Sequence, residues 1–448
     1  MCRNVLLVTI DSLRTDHLTQ FGHSRAHDDC LSSLADRHTS FRRAFATGPG
    51  TTPSFPALLL GTLPLSYEGM GPLHRERPRV SRRLGRNGFS TAAFHCNPFL
   101  SAHFNYDLGF ETFKDYQNPL MGLATRLFPR GIEIGNPRLR SLDDALHVTD
   151  IIKRTYRLVR GKPRPYVQAE VITDDAIDWL QTVDDPFFCW THYMDVHHPC
   201  HPPSPYRESF DVGAVSQREV TEWYSAMLRD PGSLDAGQVE WLRRLYDAAI
   251  AYVDDEIYRL LGALDRTGRL RNTLVVVTSD HGELFGEHGQ YGKPERMYDE
   301  LLHVPLVVVN GPDYLDDATG ELVSLLDVPP LLHEVLDLNV PEAYAGRIPG
   351  VDEPRDLIMA EHEIDGEVVV GARSDEWLYE HDETADRTCL FHVDGELERV
   401  PPDKYTAESA EVRRAVHERL IELDVASDET EEGVPTDVES RLEDLGYL

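Results

Sequence analysis

A doubly wound α/β sheet flanked by helices, with a small α+β subdomain after it, is the fold class that three features of the sequence predict. Two β-branched apolar runs, residues 5–10 and 274–279, are continuous rather than alternating, as expected of parallel strands buried on both faces. Helical stretches separate the strand-like runs, which is the alternation that builds an open parallel sheet. After about Gly346 the pattern shifts to short strands in close succession.

The run at residues 5–10 is expected to be a central strand, with further strands at 90–95, 186–193 and 305–309. The clearest helix covers about residues 234–264, where Leu242, Leu245, Ala249, Val253, Ile257, Leu260 and Leu264 keep helical spacing and Gly268 supplies a stop. Residues 119–165 and 202–232 carry little strand signal and read as insertions over the active face. Strands are expected at 356–360, 367–372, 377–381 and 389–393, and a helix near 409–423. These divide the chain into a catalytic α/β domain, residues 1–345, and a C-terminal α+β subdomain, residues 346–448. Acidic residues 424–432 read as a solvated linker.

With 448 residues the chain can bury a large core, and its formal net charge of -33 is spread along the whole length. Lysine occurs only at 114, 153, 162, 293 and 404. Dispersed acidity with so little lysine suggests the cytoplasm of a salt-adapted organism, where cations screen self-repulsion. It argues against a nucleic-acid partner, whose phosphates would be repelled. Cys2, Cys30, Cys96, Cys189, Cys200 and Cys389 have no close-paired spacing and read as reduced thiols. No apolar stretch reaches the length of a transmembrane helix, so no integral membrane segment is expected.

The most informative segment is the second apolar run, because it ends abruptly in Asp280-His281-Gly282. Hard and borderline metal ligands thus emerge at the carboxyl edge of a sheet, where open α/β folds keep their sites. The first run ends in Asp11, at the same edge; alone, an aspartate there is an ordinary helix cap. A third element, Gly50-Thr51-Thr52-Pro53-Ser54, reads as a helix start with Pro53 in its first turn. A threonine hydroxyl there would sit at the positive end of the helix dipole, although a plain threonine N-cap explains it too.

Asp11 at its strand end, Thr51-x-Pro-Ser with Ala57-Leu58-Leu59-x-Gly61, Ser279-Asp280-His281-Gly282-Glu283 and Gly292-Lys293 together resemble the sulfatase family of the alkaline phosphatase superfamily. Order and separation match over about residues 1–345. The resemblance implies an alkaline-phosphatase-like central sheet, a divalent cation held by Asp11, Asp280, His281 and Thr51, and Thr51 as nucleophile. It also implies that Lys293 neutralises oxygens of the transferred group, and that His197 contacts that group or the leaving oxygen. Asp195, His198 and His201, beside His197, could instead form a second metal or substrate site, since closely spaced imidazoles and a carboxylate suit zinc.

Two departures from the family pattern bear on the chemistry. Sulfatases carry Cys-x-Pro-x-Arg or Ser-x-Pro-x-Arg, whose first residue becomes formylglycine; here Thr51, Pro53 and Phe55 stand in those places, so no formylglycine is expected. A formylglycine diol expels sulfate by elimination, a route closed to threonine, whereas threonine nucleophiles serve phosphoryl chemistry in the same superfamily. The second departure is Ser12, where many sulfatases have another metal-binding aspartate. One carboxylate fewer weakens an all-oxygen calcium site and leaves it open to magnesium, manganese or zinc as well as calcium. The sequence therefore points to hydrolysis of a sulfate or phosphate ester of a small molecule or glycan. A phosphotransferase acting on a glycan or lipid hydroxyl, or a non-catalytic binder of anionic sugars, remains open, as does the oligomeric state.

Overall fold

The computed structural model describes residues 3–25, 27–67, 69–116, 166–364 and 367–424. The stretch 119–165 and the acidic residues beyond 424 lie outside them. The central sheet has seven strands: β1 (Asn4–Ile10), β2 (Thr39–Phe41), β4 (Ser90–Phe94), β5 (Thr112–Lys114), β6 (Phe187–Tyr193), β7 (Thr273–Ser279) and β10 (Leu306–Val309). Their order is β2-β10-β7-β1-β6-β4-β5. Strands β1, β6 and β7 are buried along their whole length, which is why β1 and β7 read as near-continuous apolar runs.

The sheet is mostly parallel. Strand β10 runs antiparallel to both β7 and β2, a direction that an apolar run does not encode. Register then sets the site: Ile10 pairs with Tyr193 on β6 and with Ser279 on β7, so Asp11 and Asp280 leave adjacent strands at the same level. Short strands β3 (Ala44–Phe45) and β11 (Val323–Ser324) pair in parallel beside the sheet, and β8 (Leu284–Phe285) with β9 (Tyr291–Gly292) forms a hairpin after the Asp280 loop.

The long helix expected near 234–264 spans Ala236–Arg266 and begins with a capping box between Asp235 and Gln238. Residues 202–232 are helical, not irregular: Ser204–Ser209 and Gln217–Arg229 form there, the latter with its own Ser216 and Glu219 capping box.

Residues 358–400 fold as an antiparallel meander: β12 (Ile358–Ile364), β13 (Glu367–Arg373), β14 (Trp377–Asp382), β15 (Arg387–Asp394) and β16 (Glu396–Val400). The helix Ala410–Asp424 lays Val412, Val416 and Leu420 on Val370, Ala372, Trp377, Tyr379 and Leu390 of the sheet. The meander is tied to the central sheet at buried points. Glu361 N donates to Thr47 O over 2.8 Å, and the Glu361 carboxylate pairs with Arg419 and accepts from Leu65 N at 3.0 Å. No helix among the described residues is long and apolar enough to cross a membrane.

Candidate metal and catalytic site

Asp11 and Asp280 face each other across the β1 and β7 edges, both wholly buried. The loop after β1 is held by hydrogen bonds that leave the carboxylates pointing inward. Leu13 N donates to Ser279 Oγ at 2.9 Å, Ser279 Oγ donates to Ile10 O at 2.7 Å, and Tyr246 Oη both accepts from Arg14 N and donates to Ser12 O. Ser12 takes a left-handed backbone (φ 63°), and its amide donates to Asp280 Oδ1 at 3.1 Å, beside the His281 amide at 3.0 Å. Gly282 has no alternative, because a Cβ there would lie 2.0 Å from the Glu300 carbonyl oxygen.

One oxygen of Asp280, Oδ2, is buried and accepts no hydrogen bond of good geometry. His281 Nε2 lies 3.4 Å from it and 3.7 Å from Asp11 Oδ1. The other ring nitrogen, Nδ1, is 2.8 Å from the Gly282 carbonyl and must carry the proton there, so Nε2 presents a lone pair to two carboxylates. Burial, then the charge of Lys293, pushes the His281 pKa down to about 3, so the ring is neutral. Two carboxylate oxygens and an imidazole lone pair meeting in a buried space fit a divalent cation, which would take the place of the proton that burial otherwise favours on Asp280.

Burial pushes both carboxylates up, but their net shifts are opposite. Burial and the charge of Asp11 raise Asp280 well above the usual range. Asp11 is held well below it, because Lys293, His197, the His192 hydrogen bond and His281 together outweigh burial. Lys293 Nζ is 3.7 Å from Asp11 Oδ1 with its side chain almost covered, so it is not a surface lysine.

Thr51 is the first residue of the helix Thr51–Leu60. The N-cap is Gly50, in extended conformation, and no side chain caps the helix. The threonine hydroxyl is therefore not spent on capping: Oγ1 sits 3.4 Å from both Asp11 Oδ2 and His281 Nε2. Asn97, just after β4, donates Nδ2 to Asp11 Oδ2 at 2.9 Å and reaches Thr51 Oγ1 at 3.4 Å.

A family model described as Sulfatase matches residues 3–338. The chain belongs to the sulfatase family. It is 26% identical to an uncharacterized sulfatase of Escherichia coli, covering 80% of this chain and 72% of that one. It is 23% identical to the choline-sulfatase of Rhizobium meliloti, covering 96% and 89%. Among solved structures, the phosphonate monoester hydrolase of Agrobacterium radiobacter superposes with a TM-score of 0.69 at 21% identity, covering 95% of this chain and 96% of that one. BT4656 in complex with its substrate D-glucosamine-2-N,6-O-disulfate gives 0.69 at 15% identity, covering 96% and 100%. At these identities the superpositions speak for the fold, which is the sulfatase fold the sequence predicts.

Seen as a sulfatase-family site, the two departures from the motif become structural facts. Ser12, in place of an aspartate, turns its hydroxyl to Asp11 Oδ1 at 2.7 Å. Phe55, in place of arginine, packs edge-on against His192 with ring centroids 5.0 Å apart.

His197 is wholly buried. Its Nδ1 is 2.5 Å from the His198 carbonyl and so carries the proton, while burial and Lys293 lower its pKa well below the usual value. The rest of the expected histidine cluster does not converge. His198 Nδ1 pairs with Glu283 Oε1 at 2.5 Å, and His201 Nε2 lies 3.0 Å from the Arg207 guanidinium, a neighbour that repels a cation. Among the described residues, no metal-capable grouping includes Asp195, His198 or His201. Two residues that no motif flagged, Asn97 and His192, touch Asp11 directly.

Proposed function

We propose that this sulfatase-family protein is a metal-dependent ester hydrolase in which Thr51 is the nucleophile, and that phosphate monoesters or diesters suit it better than sulfate esters. The observation carrying this reading is the Thr51 hydroxyl at a helix amino terminus, not spent on a cap and 3.4 Å from both Asp11 Oδ2 and His281 Nε2. Asp11, Asp280, His281 and Thr51 would hold a divalent cation, whose bound charge supplies Lewis-acid stabilisation and lowers the hydroxyl pKa.

The chain's own groups account for the rest. Thr51 Oγ attacks phosphorus as the ester oxygen departs, and water then cleaves the phosphothreonine to release Thr51. Lys293 and the helix amino terminus favour the charged oxygens of the transferred group. His197, with Nδ1 committed to the His198 carbonyl, offers Nε2 as a proton acceptor in the attacking step and returns that proton to the departing oxygen. Threonine has no elimination route for expelling sulfate, and this decides the preference for phosphorus over sulfur. The substrate class is a small-molecule or glycan ester.

The test compares an aryl sulfate, a phosphate monoester and a phosphodiester across Mg, Mn, Zn and Ca in high salt. Turnover should be faster for a phosphorus ester, and Thr51→Ala should lose at least about 10³-fold while keeping the wild-type melting curve. Undiminished hydrolysis by that variant, or a sulfate preference, would sink the reading.

A further inference from the structure

We infer that His192 is a direct ligand of the same cation, supplying the donor that Ser12 lacks and giving the site two imidazole nitrogens. This rests on the reading that Asp11, Asp280 and His281 hold a metal.

One ligand atom each from Asp11, His192 and Asp280 lies within 4.8 Å of the others, and all three residues are wholly buried. The strand register explains the convergence. His192 on β6 is paired with Thr9 on β1, two residues before Asp11 and hence on the same sheet face.

The hydrogen bonds behind the ring suit a ligand. His192 Nδ1 is 3.0 Å from Thr9 Oγ1, which also receives the Trp190 indole N–H at 3.0 Å and can donate to Thr191 O at 3.2 Å. With its proton on the Thr191 carbonyl, the Thr9 hydroxyl can accept from Trp190 and from His192 Nδ1 together, so that once a cation replaces the Nε2–H bond to Asp11 the Nε2 lone pair would face the metal. Such an outer partner is what fixes the tautomer of a ligating histidine. Nε2 is 3.2 Å from Asp11 Oδ2, and that oxygen already has the Asn97 amide at 2.9 Å, so it keeps a donor when the ring turns to a cation.

The two motif departures flank this ring. Ser12 removes a carboxylate beside Asp11, and Phe55 places an aromatic edge against His192 where the family motif has a guanidinium that would oppose a cation. The resulting set of two carboxylates, two imidazoles and one hydroxyl suits zinc, manganese or ferrous iron over calcium.

The experiment loads the full-length protein with Mn(II) and counts directly bound imidazole nitrogens by pulsed EPR, in wild type and in His192→Gln. Zinc and calcium affinities are measured in parallel by competition with a chelator. Two imidazoles in wild type and one in the variant are expected, with zinc affinity falling about 10–100-fold and calcium affinity less than about threefold. One imidazole in wild type, or equal losses for both metals, overturns the inference. Absence of any bound metal in wild type overturns the reading beneath it instead. Should the variant not fold, the wild-type count alone decides.

Discussion

Two clusters of histidine and aspartate draw on the segment that follows β1, and they have similar composition but a different balance of charge. In one, Asp11, Asp280, His192 and His281 converge with a surplus of lone pairs and a buried carboxylate oxygen accepting no hydrogen bond of good geometry. In the other, Asp247 sits between His17 Nδ1 at 2.6 Å and His23 Nε2 at 3.3 Å, with Arg25 Nε 3.5 Å from its second oxygen. Asp247 Oδ2 likewise accepts no hydrogen bond of good geometry, and this group too could hold a metal ion by its geometry, but here a single carboxylate stands beside a guanidinium whereas two carboxylates share the first site. What separates the two groups is therefore the balance of carboxylates against cationic side chains, not the kinds of residue.

The sharpest way to break this contrast is to remove a charge from each side. Asp280→Asn should lower bound metal from about one equivalent to under about a tenth, and turnover by about 10³-fold or more, measured by elemental analysis and steady-state kinetics. A variant that keeps its metal would show that the carboxylate surplus is not what holds it. Lys293→Met should lower kcat/KM by about 10²–10³-fold with metal content unchanged, and Lys293→Arg should not restore it, since a guanidinium does not replace a compact ammonium.

Chelation provides a third measure. Stripping the cation should cost about 3 kcal/mol of stability when the metal had been present at a hundred times its dissociation constant. The melting shift should vanish in Asp280→Asn and persist in Asp247→Asn. The smallest effect concerns the second cluster. Burial alone would raise Asp247, but His17 and His23 hold its pKa down to about 2. A depressed carboxylate contributes stability that is complete above the unfolded value near 3.8 and is lost as pH falls through about 2. Asp247→Asn should therefore cost about 2 kcal/mol at neutral pH and flatten that acid limb in denaturant titrations, with metal content untouched.

Much of this was legible in the sequence where burial leaves a simple trace. Strands β1 and β7 are covered on both faces, so their apolar runs were unmistakable, and the long helix showed its stripe. Edge strands β2 and β5 are three residues each, and β16 (Glu396–Val400) is mostly polar because it pairs only with β15, so no periodicity announced them. At the site, Asp11, Thr51, Asp280, His281 and Lys293 stood out as a motif. His192 carried one overlooked signal, a titratable ring inside the otherwise apolar stretch 187–193, and Asn97 carried none beyond following a strand. The neighbours of His197 misled for the reverse reason: the His198 ring lies 4.3 Å from that of His197 but pairs its Nδ1 with Glu283, and His201 meets Arg207, so closeness in sequence did not bring them into a metal-capable grouping among the described residues.

The Tyr246 hydroxyl, which bridges Ser12 O at 2.6 Å and Arg14 N at 2.8 Å, belongs to the middle of the 31-residue helix. The loop bearing Asp11 is thereby fastened to one of the molecule's longest rigid bodies, so its backbone cannot loosen on its own. The Arg14 amide should exchange with solvent only when the whole domain opens, and heat should silence the site and melt the fold in a single event.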